Sequence, residues 1–344
     1  MPVLYPFLIL PEFHERVWGA RDLRPYFTRT VDEPIGEAWL TGEDCRVASG
    51  PLAGQTLRDL SLQYGAALTG EASPSPTRFP LLIKFLFPRQ KLSVQVHPDD
   101  EGARCVGQPC GKTECWYVAR AIEGAQVGLG LRSGINTEMF RMAIASNQAE
   151  HMLNWLDIHA GEMIYVDAGT VHAVGPNSII VETQQNCDIT YRLYDYGRPR
   201  ELHLNLGLAA IRENTHAGFA EPQPIANQGA GHDTLLASPC FTVEKHKIDA
   251  PLKLTEPDIS ATGKSSVQVL VALDGGAVVE CAGAQPLPIL RGEAVVIPAS
   301  SPMVTVRPQW SAEILRMRLP AQPVAEPRTT MHPSTAYSIT PRHG

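Results

Sequence analysis

A chain of 344 residues is too long for one small core, and its length favours about two domains. With 44% hydrophobic and 19% charged residues it has the composition of an ordinary globular protein, which excludes extensive disorder. The net charge of -7 supplies no basic field to gather polyanions, so nucleic acid is excluded as a partner, whereas a small anion held by a few local cations is not.

The N-terminal run to Pro11 is apolar but has no charged start and is broken by prolines, so neither a signal peptide nor a membrane span is expected. Short β-branched and aromatic runs at Glu15-Arg-Val-Trp-Gly19 and Ile35-Gly-Glu-Ala-Trp39, separated by Gly and Pro, predict strands, with Trp18 and Trp39 as core aromatics. Leu57, Leu60, Leu62, Tyr64 and Leu68 predict a short helix over 55–70, ended by the Ser/Pro run at 73–76. Extended character dominates from Phe79 to Val118. Met139, Met142, Ala143, Ile144, Met152, Leu153 and Leu156 then predict one or two helices over about 136–156.

Strand character resumes at Gly161 and runs to about Leu206, and the Pro-, Ala- and Gly-rich region 217–232 reads as a linker. Beyond it lie short strands at Phe241-Thr-Val-Glu244, Ser266–Ala272, Ala277-Val-Val-Glu280, Ala294–Pro298 and Met303-Val-Thr-Val306, the pattern of a sandwich or barrel. The expected division is a catalytic domain at 1–230, a second domain at 231–320 and a polar tail at 321–344. The seven cysteines are odd in number, and the steps between Cys105, Cys110 and Cys115 match no CxxC zinc pattern. Reduced thiols in a cytoplasm are expected.

The stretch Lys91–Pro98 alternates: Ser93, Gln95 and His97 share one face of a strand, and Leu92, Val94 and Val96 share the other. Alone, such a polar row is a solvated sheet face. Two later segments, Gly161-Glu-Met-Ile-Tyr-Val-Asp-Ala-Gly-Thr-Val-His172 and Gly292-Glu-Ala-Val-Val-Ile-Pro-Ala-Ser-Ser-Pro-Met303, overlay as Gly-Glu, four apolar or aromatic residues and a turn. They resemble the second motif of the cupin barrel. The first copy ends in His172; the second ends in Met303 and lacks an upstream His-x-His. Gln95, His97, Glu114 and His172 therefore form a candidate metal set of one amide, two imidazoles and one carboxylate. Such donors suit Zn and also Fe, Mn or Co.

Taken together, Glu15-Arg-Val-Trp-Gly19, Ile35-Gly-Glu-Ala-Trp39, Leu92-Ser-Val-Gln-Val-His-Pro-Asp-Asp100, Gly111-Lys-Thr-Glu-Cys-Trp-Tyr117, Gly169-Thr-Val-His-Ala173 and Val181-Glu-Thr-Gln-Gln-Asn-Cys-Asp-Ile-Thr-Tyr-Arg-Leu-Tyr-Asp195 resemble the short bacterial type I mannose-6-phosphate isomerases. The resemblance covers most of residues 12–210. It implies a mainly β fold of two cupin-type barrels, or jelly rolls, with a small helical insertion in the N-terminal half and a second, metal-less barrel. It also implies one zinc per chain on Gln95, His97, Glu114 and His172, with Arg192 as the catalytic arginine. Lys112 would be a second cation beside substrate, Ser93 a substrate contact and Glu182 a candidate base, with Lys112 or a metal-held water as rivals for the proton. This chain departs from the family in Cys187, where serine is usual, in Thr113 before Glu114, and in Asp167, where the cupin motif has proline.

The activity implied is interconversion of mannose 6-phosphate and fructose 6-phosphate through an enediol. The expected partner is a small phosphosugar, with no nucleic acid and no membrane, in a monomer or weak homodimer. An iron cupin oxygenase would use similar ligands, and a non-catalytic sugar-phosphate-binding cupin would use the same barrel.

Overall fold

The computed structural model describes residues 4–28, 30–254 and 265–332. Strands dominate, and the chain divides into two compact units that are not contiguous in sequence. One comprises the described residues of Met1–Leu86 with Thr183–Asn186 and Pro222–Glu326; the other comprises Phe87–Glu182, Cys187–Glu221 and the described part of Pro327–Gly344. A boundary at 230 is therefore not where the chain divides. The reason is strand pairing: Phe7–Leu10 lies antiparallel to Ala294–Ile297, so the N-terminus is a strand of the C-terminal sheet.

The unit holding the C-terminal region carries a ten-stranded sheet around an apolar interior that includes Leu270, Ala272, Val295, Ile297 and Ile314. The two short runs expected at Ser266–Ala272 and Ala277–Glu280 are one strand, Gln268–Cys281, because bulges between Ala272 and Asp274 and between Gly275 and Ala277 take up Asp274 and the glycines without breaking the ladder. The helix expected at 55–70 is two pieces, Leu57–Tyr64 and Ala66–Thr69, parted at Gly65, whose φ of 52° ends the first.

Trp18 is buried as expected, but Trp39 is only half-buried and has a polar task. Its indole N–H donates to Glu37 at 2.7 Å, and Arg16 grips the same carboxylate through Nε and Nη2 at 3.1 and 3.0 Å. Lys84 Nζ stands 3.8 Å away. Burial alone would raise the Glu37 pKa, but the Lys84 and Arg16 charges and the Trp39 N–H hold it down at about 2.

In the other unit a five-stranded sheet runs Tyr191–Tyr194, Val94–Val96, His172–Val174, Gln126–Leu131, Leu153–Asp157. A second row there runs Ser178–Gln185 (as far as Glu182), Glu114–Ala121, Met163–Val166, Gly218–Ala220, Thr329–Thr330. Val94, Val96, Val171, Ala173, Tyr191 and Leu193 bury their side chains with Phe140 and Ile144 of the inserted helix Thr137–Ala145. That helix starts at Asn136, whose side chain accepts from the Met139 N–H.

The helical region ends earlier than its spacing predicts. After a short 3-10 turn at Ala149–Met152, Leu153–Asp157 is a strand on Gln126–Leu131, because Leu153 and Leu156 meet a sheet edge that offers hydrogen bonds a helix would forgo. The region 217–232 is likewise not a bare linker. Gly218–Ala220 pairs with Met163–Val166, and Gln223–Pro224 pairs with the strand from His232. Thr329–Thr330 pairs with Gly218–Ala220, so the expected tail contributes a strand. Residues 333–344 of that tail lie outside the described residues.

The two repeat copies fold alike. Met163–Val166 and Ala294–Ile297 start two residues after Gly161 and Gly292. In each, the glutamate after the glycine accepts from the backbone N–H three residues before it: Glu162 from His159 at 2.7 Å, Glu293 from Leu290 at 2.8 Å. Val166 faces Glu114 across its ladder as Ile297 faces Gln268, so the second copy has an amide where the first has the carboxylate. Arg316 Nε occupies that amide oxygen at 2.7 Å, and Met303, at the place of His172, is 62% exposed.

Candidate metal centre

Backbone register places the polar row. Gln95 lies directly across from His172 on one side and from Arg192 on the other, so these three side chains emerge on one face of the five-stranded sheet. Ser93 and His97 flank Gln95 on the same face, and Ser93 Oγ donates to Gln95 Oε1 at 3.3 Å. Val94 and Val96 take the opposite face into the core. The alternation puts apolar side chains under the sheet and the polar row above it.

Glu114 opens a strand of the other row and is completely buried. Its Oε2 lies 3.5 Å from His97 Nε2 and its Oε1 lies 3.4 Å from His172 Nε2. Among the described residues, His97, Glu114 and His172 are the one group of three His, Cys, Asp or Glu whose ligand atoms all lie within 4.8 Å of one another. Gln95 Nε2 stands 3.1 Å from His172 Nε2, and turning the amide over would present its oxygen to the same space. Lys112 Nζ, 3% exposed, stands 3.2 Å from Glu114 Oε2.

Each imidazole is oriented by a main-chain carbonyl. His97 Nδ1 is 2.8 Å from the Ile189 oxygen, and His172 Nδ1 is 2.9 Å from the Thr170 oxygen. With Nδ1–H donating, both Nε2 lone pairs point at the carboxylate. Burial pushes His172 down to about 4, a shift that Lys112 adds to while the Thr170 carbonyl and Glu182 oppose it, so the ring is neutral at neutral pH. Two imidazole Nε2 atoms converge on a carboxylate, and their lone pairs repel its charge until a cation sits among them. These donors fit a divalent metal.

The turns that hold the set are close-packed. Gly111 lies against the Asp99 backbone, where a Cβ would come within 2.5 Å of the Asp99 carbonyl carbon, and its N–H donates to Asp100 Oδ1 at 2.7 Å. This seats Lys112, whose N–H reaches the Pro98 oxygen at 3.0 Å. Asp167 stiffens the turn before His172 by hydrogen bonds in place of a proline ring, accepting from Thr170 Oγ1 and the His216 N–H, both at 2.8 Å. Gly169, at a φ of 91°, donates to the His97 oxygen at 2.9 Å and so ties that turn to the first imidazole.

Arg192 is half-buried beside Gln95, its Nη1 donating to the Glu201 carbonyl at 2.7 Å. Glu182 is buried on the strand Ser178–Gln185. Its Oε1 accepts from Trp116 Nε1 at 3.1 Å, and the Trp116 ring stands edge-on to His172 with centroids 5.4 Å apart. Trp116 is a residue that sequence reasoning missed, although it lies two positions from Glu114 and hence on its face of the strand. The carbonyls of Thr170 and Ile189 had no sequence signal, since every residue carries one.

Comparison with known proteins agrees with this arrangement. The family profile of the phosphomannose isomerase type I catalytic domain matches residues 7–117. A mannose-6-phosphate isomerase of Streptococcus mutans is 35% identical over 262 residues, 73% of this chain and 81% of that one. The Bacillus subtilis protein YvyI is 30% identical over 315 residues, 88% of this chain and 96% of that one. The crystal structure of a mannose 6-phosphate isomerase from Bacillus subtilis superposes with a TM-score of 0.80 at 28% identity, covering 91% of this chain and 99% of that one. The two-cupin architecture with a buried group of two His and a Glu that could hold a metal is that of a metal-dependent sugar-phosphate isomerase. The chain belongs to the type I phosphomannose isomerase family.

Proposed function

We propose that the protein interconverts mannose 6-phosphate and fructose 6-phosphate, with one zinc per chain on His97, Glu114, His172 and Gln95. The observation that carries this reading is the convergence of His97 Nε2 and His172 Nε2 on Glu114 with Lys112 at 3.2 Å from the same carboxylate, in a chain of this family. A bound divalent ion would supply Lewis-acid stabilisation of the oxygens on C1 and C2.

The remaining steps belong to the chain. Isomerisation takes a proton from C2 of the open-chain aldose and returns one to C1, with negative charge developing on the oxygens between. Arg192, charged at any working pH, and Lys112 are the cations beside that charge. Ser93, 3% exposed and hydrogen-bonded to Gln95, serves a substrate hydroxyl. Lys112 and Glu182 are the two side chains suited to moving the proton. Lys112 stands 3.2 Å from Glu114 Oε2, and Glu182 accepts from Trp116, whose ring stands edge-on to His172.

Mixing the protein with mannose 6-phosphate and following fructose 6-phosphate tests the reading. Steady turnover is expected, and saturable binding without product would favour a sugar-phosphate sensor instead. The absence of oxygen uptake in the same mixture separates it from a cupin oxygenase.

A further inference from the structure

Past the strand Tyr191–Tyr194 the chain folds back on itself, and the way it does so sets the aim of Arg192. The Arg198 N–H donates to the Asp195 oxygen at 3.0 Å and closes a turn in which Tyr196 has a φ of 56° and Gly197 a φ of 81°. A bulky residue seldom takes a positive φ, so its surroundings must hold it there. The Arg198 guanidinium lies 5.5 Å over the Tyr196 ring. The loop then returns to the strand: the His203 N–H donates to the Arg192 oxygen at 2.7 Å, and the Arg192 N–H donates to His203 Nδ1 at 3.2 Å. Between these closures lies Glu201, whose carbonyl accepts from Arg192 Nη1 at 2.7 Å. Arg192 Nε is buried with no hydrogen-bond partner among the described residues, so the Glu201 carbonyl is what fixes the guanidinium.

The group that holds this loop is Asp195. Its carboxylate, 3% exposed, accepts from Arg198 Nη2 at 2.6 Å and from Arg200 Nε and Nη2 at 2.6 and 2.7 Å. Hydrogen bonds between ionised groups at these lengths are strong ones, and the two-pronged grip of Arg200 fixes direction as well as distance. Arg198 Nη2 also donates to the Lys91 oxygen at 2.8 Å, which fastens the loop to the start of the stretch carrying Gln95 and His97. Arg200 immediately precedes Glu201, so a grip on its side chain reaches that carbonyl through one peptide unit. We propose that Asp195 is a positioning residue: through Arg198 and Arg200 it sets the 195–203 loop so that the Glu201 carbonyl aims Arg192 at the reacting oxygens.

The hold on the loop rests on the hydrogen bonds alone; its bearing on turnover rests on the role proposed for Arg192. Replacing Asp195 by asparagine removes a charge but little volume, and it leaves two half-buried guanidiniums without their anion. The loop loosens and Arg192 loses its fixed direction. Misplacing a group that acts on the transition state by about 1 Å costs about a hundredfold in rate. Among the described residues the Asp195 carboxylate makes no hydrogen bond to Gln95, His97, Glu114 or His172, so the same change leaves the metal in place.

The experiment takes the full-length, metal-loaded parent, Asp195→Asn, Arg192→Ala and the two changes together. It measures kcat and KM for mannose 6-phosphate, bound metal, and hydrogen exchange of the peptide 191–203. Asp195→Asn is expected to keep its metal, to exchange faster over 191–203, to lose about a hundredfold in kcat with KM little changed, and to cost nothing further once Arg192 is alanine. An equal loss in both backgrounds would overturn the positioning role, because a carboxylate that only supported the fold would exact its loss whether or not Arg192 were present. A loss carried wholly by KM would overturn it as well, and unchanged exchange over 191–203 would overturn the hold on the loop. Should Asp195→Asn fail to fold, Arg200→Lys, which keeps the charge but gives up the two-pronged grip, goes through the same cycle, with the same coupling to Arg192 expected and its absence decisive against the proposal. If the parent shows no isomerase activity, the functional reading fails, while exchange over 191–203 still decides whether Asp195 holds the loop.

Discussion

At the scale of single residues the proposed site separates groups placed to hold a metal from groups placed to act on substrate. His97→Ala removes one of two imidazoles whose lone pairs face Glu114 and leaves that buried carboxylate short of a partner. Metal analysis is expected to find little bound metal in that variant, and full stoichiometry would remove His97 from the ligand set. Arg192→Ala is expected to keep its metal, since Arg192 is anchored to the Glu201 carbonyl beside the set, and to lose about a hundredfold or more in kcat. Trp116→Phe keeps a ring against His172 but deletes the donor to Glu182. Loss of a supporting hydrogen bond of this kind predicts a drop of about tenfold to a hundredfold in metal affinity or activity, measured by competition with a chelator alongside kcat.

At the scale of elements the strand Val94–Val96 is decisive, because it presents Gln95 above and forms core below. Its lower face was legible in the sequence: alternation alone separates Val94 and Val96 from Gln95 and His97. What packs beneath it was less so. The helix Thr137–Ala145 places the fully buried Phe140 in the same apolar cluster as Val94 and Val96. Phe140→Ala should cost about 3–5 kcal/mol in denaturant unfolding and weaken metal retention as the strand loses its support. The run from Leu153 was misread as helix because the spacing of Leu153 and Leu156 in a stretch of five residues does not distinguish a helix from a strand. Only the partner strand Gln126–Leu131, set by tertiary pairing, decides it. Gly218–Ala220 and Thr329–Thr330 escaped notice for the same reason, being too short to show a period.

At the scale of the whole molecule the sequence repeat showed that the second copy ends in Met303 where the first ends in His172, and strand pairing adds Gln268 where the first copy has Glu114. The repeat could not tell that Phe7–Leu10 joins the sheet of the C-terminal region, a pairing across nearly the full length of the chain. The unit that holds this sheet carries two buried carboxylates held low, Glu37 and Glu244, each at about 2. In both, burial opposes the shift; Lys84 and Arg16 win at Glu37, and His246, Arg316 and Arg318 win at Glu244. Because the folded pKa lies below the unfolded value near 4.5, the unfolded chain binds more protons between the two. Their contribution, on the order of 3 kcal/mol each, is therefore complete above about pH 4.5 and lost as pH falls toward about 2. Glu37→Gln should be less stable than the parent at pH 7 yet lose less stability on acidification, as read from denaturant midpoints across that window.

The most direct test of the central claim is turnover of mannose 6-phosphate before chelation, after chelation, and after zinc is restored, with bound metal counted at each stage. The account predicts isomerase activity that disappears with the metal and returns in proportion to zinc rebound, up to one per chain. Activity that survives complete metal removal, or a refilled site that fails to produce fructose 6-phosphate, would contradict it.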